Sequence, residues 1–135
     1  MEYSRIDTNL GLNKEIELVK IIKNKINDDE LDHTKSKYSF IDYHSNKNIV
    51  ELKTRRCFKN KYYDTMVSKC KIDKMLIDGR NPYLFFSFLD GLFYIKINKE
   101  IIKKFRLSGG GRCDRGFIES NIYYYIPINI LEEVK

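Results

Sequence analysis

The stretch YSFIDYHSNKNIVELKT, residues 38–54, decides how this chain reads. Tyr38–Tyr43 and Asn48–Thr54 are rich in aromatic and β-branched residues, and the turn-like His44-Ser45-Asn46-Lys47 lies between them. That pattern predicts a β-hairpin. Paired about Asn46-Lys47, the hairpin sets His44 against Ile49, Tyr43 against Val50 and Asp42 against Glu51. Lys53 follows Glu51 by two residues and so shares its face.

Two carboxylates directly opposite each other repel, and a hairpin that only builds a core has no reason to place them there. A divalent cation between Asp42 and Glu51 removes the conflict, because hard cations take carboxylate oxygens. Such an ion polarises a phosphodiester and acidifies water, and Lys53 can stabilise the negative charge that grows in the reaction. The alternative on the same residues is a solvent-exposed strand face with a Glu51-Lys53 ion pair.

Upstream, Leu18, Val19, Ile22 and Ile26 recur at helical spacing and predict a helix over Asn13–Ile26. On a helical wheel these four fall within roughly 60° of Glu15. Glu15 therefore sits inside the apolar stripe, where an acid is costly without a partner. Either it approaches the acid pair, or it stays solvated at the helix's first turn, where the dipole favours it.

Downstream, a basic segment from Arg55 to Lys61 leads into a second helix predicted over Tyr62–Ile77, with Met66, Cys70 and Ile77 on its inner face and Asp78-Gly79-Arg80-Asn81-Pro82 as its stop. Asp90-Gly91 joins two strands, Tyr83–Leu89 and Leu92–Ile97, in a second hairpin. Lys99–Phe105 reads as a short helix, Ser108–Arg112 as a Gly-rich loop, Ile122–Ile128 as a last strand and Leu131–Val134 as a helical turn. The order predicts an α/β (α+β) fold with a central mixed β-sheet flanked by helices.

The 135 residues suit one domain. With 42% hydrophobic and 33% charged residues the chain reads as soluble and globular. No apolar run is long enough for a membrane span, and the polar start is no signal peptide. The net charge of +6 and pI near 9.1 favour a polyanionic partner, nucleic acid first. Cys57, Cys70 and Cys113 form no disulfide framework or CxxC pair, which fits a reducing, intracellular compartment. Enrichment in Lys, Asn and Ile points to an AT-rich source genome, that of a large virus or a parasite.

Helical Glu15, the strand Phe40-Ile41-Asp42, the turn, and the strand Ile49-Val50-Glu51-Leu52-Lys53 together resemble the PD-(D/E)XK nuclease superfamily. The resemblance covers Asn13 to Ile97. It departs at Ile41, which stands where the name-giving proline would be. It implies a restriction-endonuclease-like α-β-β-β-α-β core and Mg²⁺- or Mn²⁺-dependent cleavage of DNA, less often of RNA. Under it Asp42 and Glu51 are the metal-binding acids, Lys53 is the catalytic lysine and Glu15 the accessory helical acid. The Leu52 carbonyl is a further ligand.

If that site exists, Arg55, Arg56 and Lys59 lie beside it and contact phosphates. Lys69, at i and i+4 with Asp73, either forms an ordinary ion pair or reaches the site. Arg112 and Arg115 belong to a Gly-rich loop that can fold over a nucleic-acid backbone or stay a plain surface loop. Cutting both strands of a duplex would need two copies of so small a domain, hence a homodimer. The competing readings are a non-cutting nucleic-acid-binding domain of the same fold, an RNA endonuclease, and a structural or host-interaction protein.

Overall fold

The computed structural model describes residues 15–34, 41–109 and 122–135. Helix α1 occupies residues 15–25 of this range. The strands are β1 (Asp32–His33), β2 (Tyr43–His44), β3 (Asn48–Thr54), β4 (Asp64–Ser68), β5 (Asn81–Phe88), β6 (Gly91–Lys96), β7 (Arg106–Gly109), β8 (Ile122–Pro127) and β9 (Glu132–Glu133). Helix α2 spans Lys69–Asp78 and α3 spans Lys99–Ile102. A six-stranded sheet runs β1-β2-β3-β5-β6-β9, and a three-stranded sheet runs β4-β8-β7. This is a mixed α+β architecture, because β3 and β5 are parallel while every other neighbouring pair is antiparallel.

The parallel pair at the centre places the site. Parallel neighbours need a long crossover, and here β4 and α2 supply it. β3 is buried from Asn48 to Leu52, as befits a strand covered on both faces. Its side chains alternate between two cores. Val50 and Leu52 pack with Leu18 and Ile22 of α1, with Tyr43 and with Phe85. Ile49 packs on the opposite face with Val67, Ile72, Met75 and Ile126, from α2 and the three-stranded sheet. Glu51 and Lys53 share the parity of Ile49, so they point toward α2. Fully buried side chains such as Ile22, Ile72 and Phe85 each stabilise the fold by roughly 1.5–3 kcal/mol.

The β2–β3 register is the expected one, Tyr43 opposite Val50 and His44 opposite Ile49. Only Tyr43 and His44 of the expected first strand pair there, and residues 35–40 lie outside the described range. β5 and β6 turn at Leu89-Asp90, with Phe88 opposite Gly91.

Three expectations are corrected. Ser108 and Gly109, expected in a Gly-rich loop, belong to strand β7 and pair with Tyr123 and Ile122. The helix expected over Tyr62–Ile77 is strand β4 followed by α2. Thr65 and Val67 point inward while Met66 is exposed, a period of two, so the stretch pairs with β8. The expected stripe of Met66, Cys70 and Ile77 therefore spanned two elements. Ile72 and Met75 are the residues α2 buries, and Ile77 is 84% exposed. Gly79, at φ +94°, closes the helix in the left-handed conformation that glycine adopts without a Cβ penalty. The turn expected over Leu131–Val134 is strand β9, which pairs with β6 and covers an otherwise open sheet edge. The helical turn lies just before it, at Ile128–Ile130.

Candidate active site

At Asp42 the strand alternation breaks. Ile41 and Tyr43 are two residues apart, yet Ile41 packs in the α2-side core and Tyr43 in the α1-side core. A regular strand would put both on one face. The Asp42 N–H donates to the Val50 carbonyl at 2.9 Å, although Val50 is the ladder partner of Tyr43. The Asp42 carboxylate then accepts from the Leu52 N–H at 2.7 Å, where a strand carbonyl would otherwise serve. One side chain thus ends the β2–β3 ladder and fixes an acid beside Glu51.

Glu51 is 4% exposed. Its Oε1 accepts from Lys71 Nζ at 3.1 Å and lies 3.3 Å from Lys53 Nζ. Its Oε2 is buried with no hydrogen-bond partner. Burial, with the Asp42 charge added, pushes the Glu51 carboxyl above the ordinary range against the pull of both lysines. Burial pushes Asp42 up to about 6, opposed by the Leu52 N–H and reinforced by a side-chain hydrogen bond to Glu15.

Glu15 meets this cluster from α1. Its Oε2 lies 2.7 Å from His33 Nε2, and the Tyr43 hydroxyl donates to its backbone carbonyl. The His33 ring also packs edge-on against Tyr43. Of the two sequence-based alternatives for Glu15, the structure shows approach to the acid pair.

An orphaned carboxylate oxygen beside a second acid held above its ordinary pKa fits a missing positive charge. Among the described residues no group of three or more His, Cys, Asp and Glu side chains gathers as a metal cage. Two carboxylates and a backbone carbonyl suit a hard cation that keeps several waters.

Not all the cationic candidates converge here. Arg55 donates from Nε to Thr65 Oγ1 at 3.1 Å and from an Nη to the Met66 carbonyl at 2.6 Å, tying β3 to β4. Lys69 pairs with Asp73 at 2.6 Å, the ordinary ion pair. Lys59 Nζ lies over the Phe93 ring, and Arg56 is exposed. His44 is held by Thr34. Arg112 and Arg115 lie outside the described residues. The sequence reading missed Lys71 and His33. Lys71 sits four residues before buried Met75, on the same helix face, a cue hidden while α2 was taken to start at Tyr62.

The mixed sheet with its central parallel pair is consistent with the restriction-endonuclease-like fold of PD-(D/E)XK nucleases. A protein-family model described as "Phage putative PDDEXK endonuclease" matches residues 4–134, and the chain belongs to that family. A search of curated proteins finds no match.

Proposed function

We propose that this chain hydrolyses phosphodiester bonds in DNA with Mg²⁺ or Mn²⁺, at a site made of Asp42, Glu51 and Lys53. The observation that carries the reading is the buried, unpartnered Oε2 of Glu51 beside Asp42. Asp42, Glu51 and the Leu52 carbonyl would hold the ion. When bound, a divalent cation neutralises the paired acids, polarises the scissile phosphate and acidifies water. The protein's own groups do the rest. Lys53 and Lys71 hold Glu51 through Oε1 and leave Oε2 free of protein donors. Lys53, the more exposed of the two, is placed to meet the phosphate's growing charge. Glu15 orients Asp42 and is itself anchored by His33.

The PD-(D/E)XK resemblance points to DNA rather than RNA as the substrate, and the net charge of +6 suits either polyanion. Among the described residues there is one such site, so cutting both strands of a duplex calls for a homodimer. The phage family and the AT-rich composition favour action inside an infected cell. Among the described residues no helix is long and apolar enough to cross a membrane.

The test is thermal stability with and without Mg²⁺ or Mn²⁺, for wild type and Asp42→Asn, beside cleavage of a mixed DNA and RNA panel. Metal-dependent stabilisation and DNA cutting should appear together and vanish together in Asp42→Asn. If metal moves neither and nothing is cut, the nuclease reading falls and the chain is a binding or scaffolding domain. Cutting confined to RNA would reassign the substrate and keep the site.

A further inference from the structure

The three-stranded sheet and the segment before it carry a feature that the acid-lysine site does not use. A groove of about 610 Å³ is lined by Lys59, Tyr62, Tyr63, Lys104, Arg106 and Tyr125, among others. A smaller hollow of about 210 Å³ shares Lys59 and Tyr62 with it and reaches Arg55. Arg55 is two residues past Lys53 along the chain, about 7 Å at strand rise. The groove thus runs up to the Lys53 end of β3.

Its chemistry has two parts. Three cations line the larger groove against one acid, Asp64, which lies 3.4 Å from Arg106. Aromatic rings stand out of the wall: Tyr62 is 61% exposed and Tyr63 is 97% exposed, and Phe58, just before the groove in the chain, is also 61% exposed. A slack loop does not account for that exposure. The Tyr63 carbonyl accepts from the Ile128 N–H at 2.9 Å, the Phe58 carbonyl from Lys61, and the Lys59 N–H donates to Asp90. The backbone is pinned while neighbouring rings face water together, and a clustered exposed patch of this kind marks an interaction site. The Arg106 guanidinium lies 4.2 Å from the Tyr125 ring centroid, a planar cation stacked on a ring.

The geometry points to this groove as a track for single-stranded nucleic acid, with unpaired bases stacking on Tyr62 and Tyr63 and phosphates contacting Lys59, Lys104 and Arg106. Every base has a π-face, and in a duplex that face is already stacked, so exposed pinned tyrosines select unpaired nucleotides. Cations beside the rings supply the backbone contacts. The substrate class this gives the site is DNA with a single-stranded segment, such as a flap, a gap or a displaced strand. The link to cutting rests on the nuclease reading; the binding surface itself does not.

The experiment measures binding of a fluorescent oligo-dT and of a duplex of equal length by anisotropy, in EDTA, with the full chain. Wild type should prefer oligo-dT. Tyr63→Ala should weaken oligo-dT binding about five-fold or more, while Tyr63→Phe keeps it. Lys104→Ala should lower the salt slope of oligo-dT binding by about 0.7. Lys20→Ala, on exposed α1 surface, is the control. Unfolding curves for each variant separate lost contact from lost fold. Equal oligo-dT affinity in wild type and Tyr63→Ala, or wild-type preference for the duplex, overturns the proposal. Cleavage of DNA with no effect of Tyr63→Ala on binding removes the groove and keeps the nuclease. Tyr63-dependent binding without any cleavage does the reverse.

Discussion

Asp28 and Glu51 are both buried carboxylates at the β2–β3 hairpin, Asp28 at the turn and Glu51 toward the far end of β3. Their exposures are nearly equal, 7% and 4%. Asp28 accepts from the Ser45 hydroxyl, from Asn48 Nδ2 at 2.7 Å and from the Glu30 N–H at 3.0 Å. Burial alone would raise its pKa, but those donors and the charge of Lys47 outweigh burial and hold it below the ordinary value. Glu51 has two lysines on one oxygen and nothing on the other, and its pKa is raised. Burial therefore does not separate these two acids; the count of satisfied oxygens does. The turn end is closed on itself, and the far end is built to receive something.

The largest break in that comparison is Asp42→Asn. Cleavage should fall about a thousand-fold, the scale of losing a group that acts on the reacting atoms. The metal-free protein should meanwhile become more stable at neutral pH, by about 1–3 kcal/mol, because a desolvated charge is gone. A loss of stability in Asp42→Asn would mean that this end is as closed as the Asp28 end.

Asp28→Ala tests the other end. It leaves the Ser45 and Asn48 donors unpaired in a buried place, and should destabilise by about 3 kcal/mol in urea unfolding. Activity per folded molecule should not change. The pH dependence has opposite signs at the two ends. The folded pKa of Asp28 is lowered, so its contribution is present above the unfolded value of 3.8 and is lost as pH falls through the folded value. That of Asp42 is raised to about 6, so its contribution is present below 3.8 and is lost as pH rises through about 6. In metal-free protein, Asp42→Asn should flatten the decline between pH 4 and 6, and Asp28→Ala the decline below pH 4.

Lys71→Met sharpens the comparison at a single atom. It leaves Glu51 Oε1 with Lys53 alone, so the Glu51 pKa rises further. Cleavage should fall roughly 10–100-fold, the usual cost of losing a partner behind a ligand. The acid limb of the pH–rate profile should move upward. A uniform drop across pH would assign Lys71 to packing instead.

The hairpin was legible because its determinants are local. The turn at His44–Lys47 and the two-residue alternation of Ile49, Glu51 and Lys53 set the register without any help from the rest of the fold. Glu15 was legible in part, since a wheel shows an acid among apolar residues but not what it meets. Lys71 and His33 were hidden because their partners are 20 and 18 residues away, across a crossover and a loop. β4 was misread because Met66, Cys70 and Ile77 mimic a helical stripe while Thr65 and Val67 carry the true period. The break at Asp42 was invisible as well: the sequence shows an acid in a strand, and only the fold shows it replacing a carbonyl at Leu52.

The smallest expected effect concerns the helical arm of the site. His33→Gln removes the partner of Glu15 at the edge of the cluster. Both side chains are partly exposed, 25% and 21%, so the pair should contribute under about 1 kcal/mol to stability. If Glu15 acts by orienting Asp42, its anchor matters more to rate than to folding. Cleavage should then drop a few-fold while the unfolding midpoint scarcely moves. Glu15→Gln should lower cleavage further, and adding His33→Gln to it should cost little more, because both changes cut the same chain of contacts. Additive losses in that double-mutant cycle would show that His33 works through Tyr43, whose ring it touches, and not through Glu15.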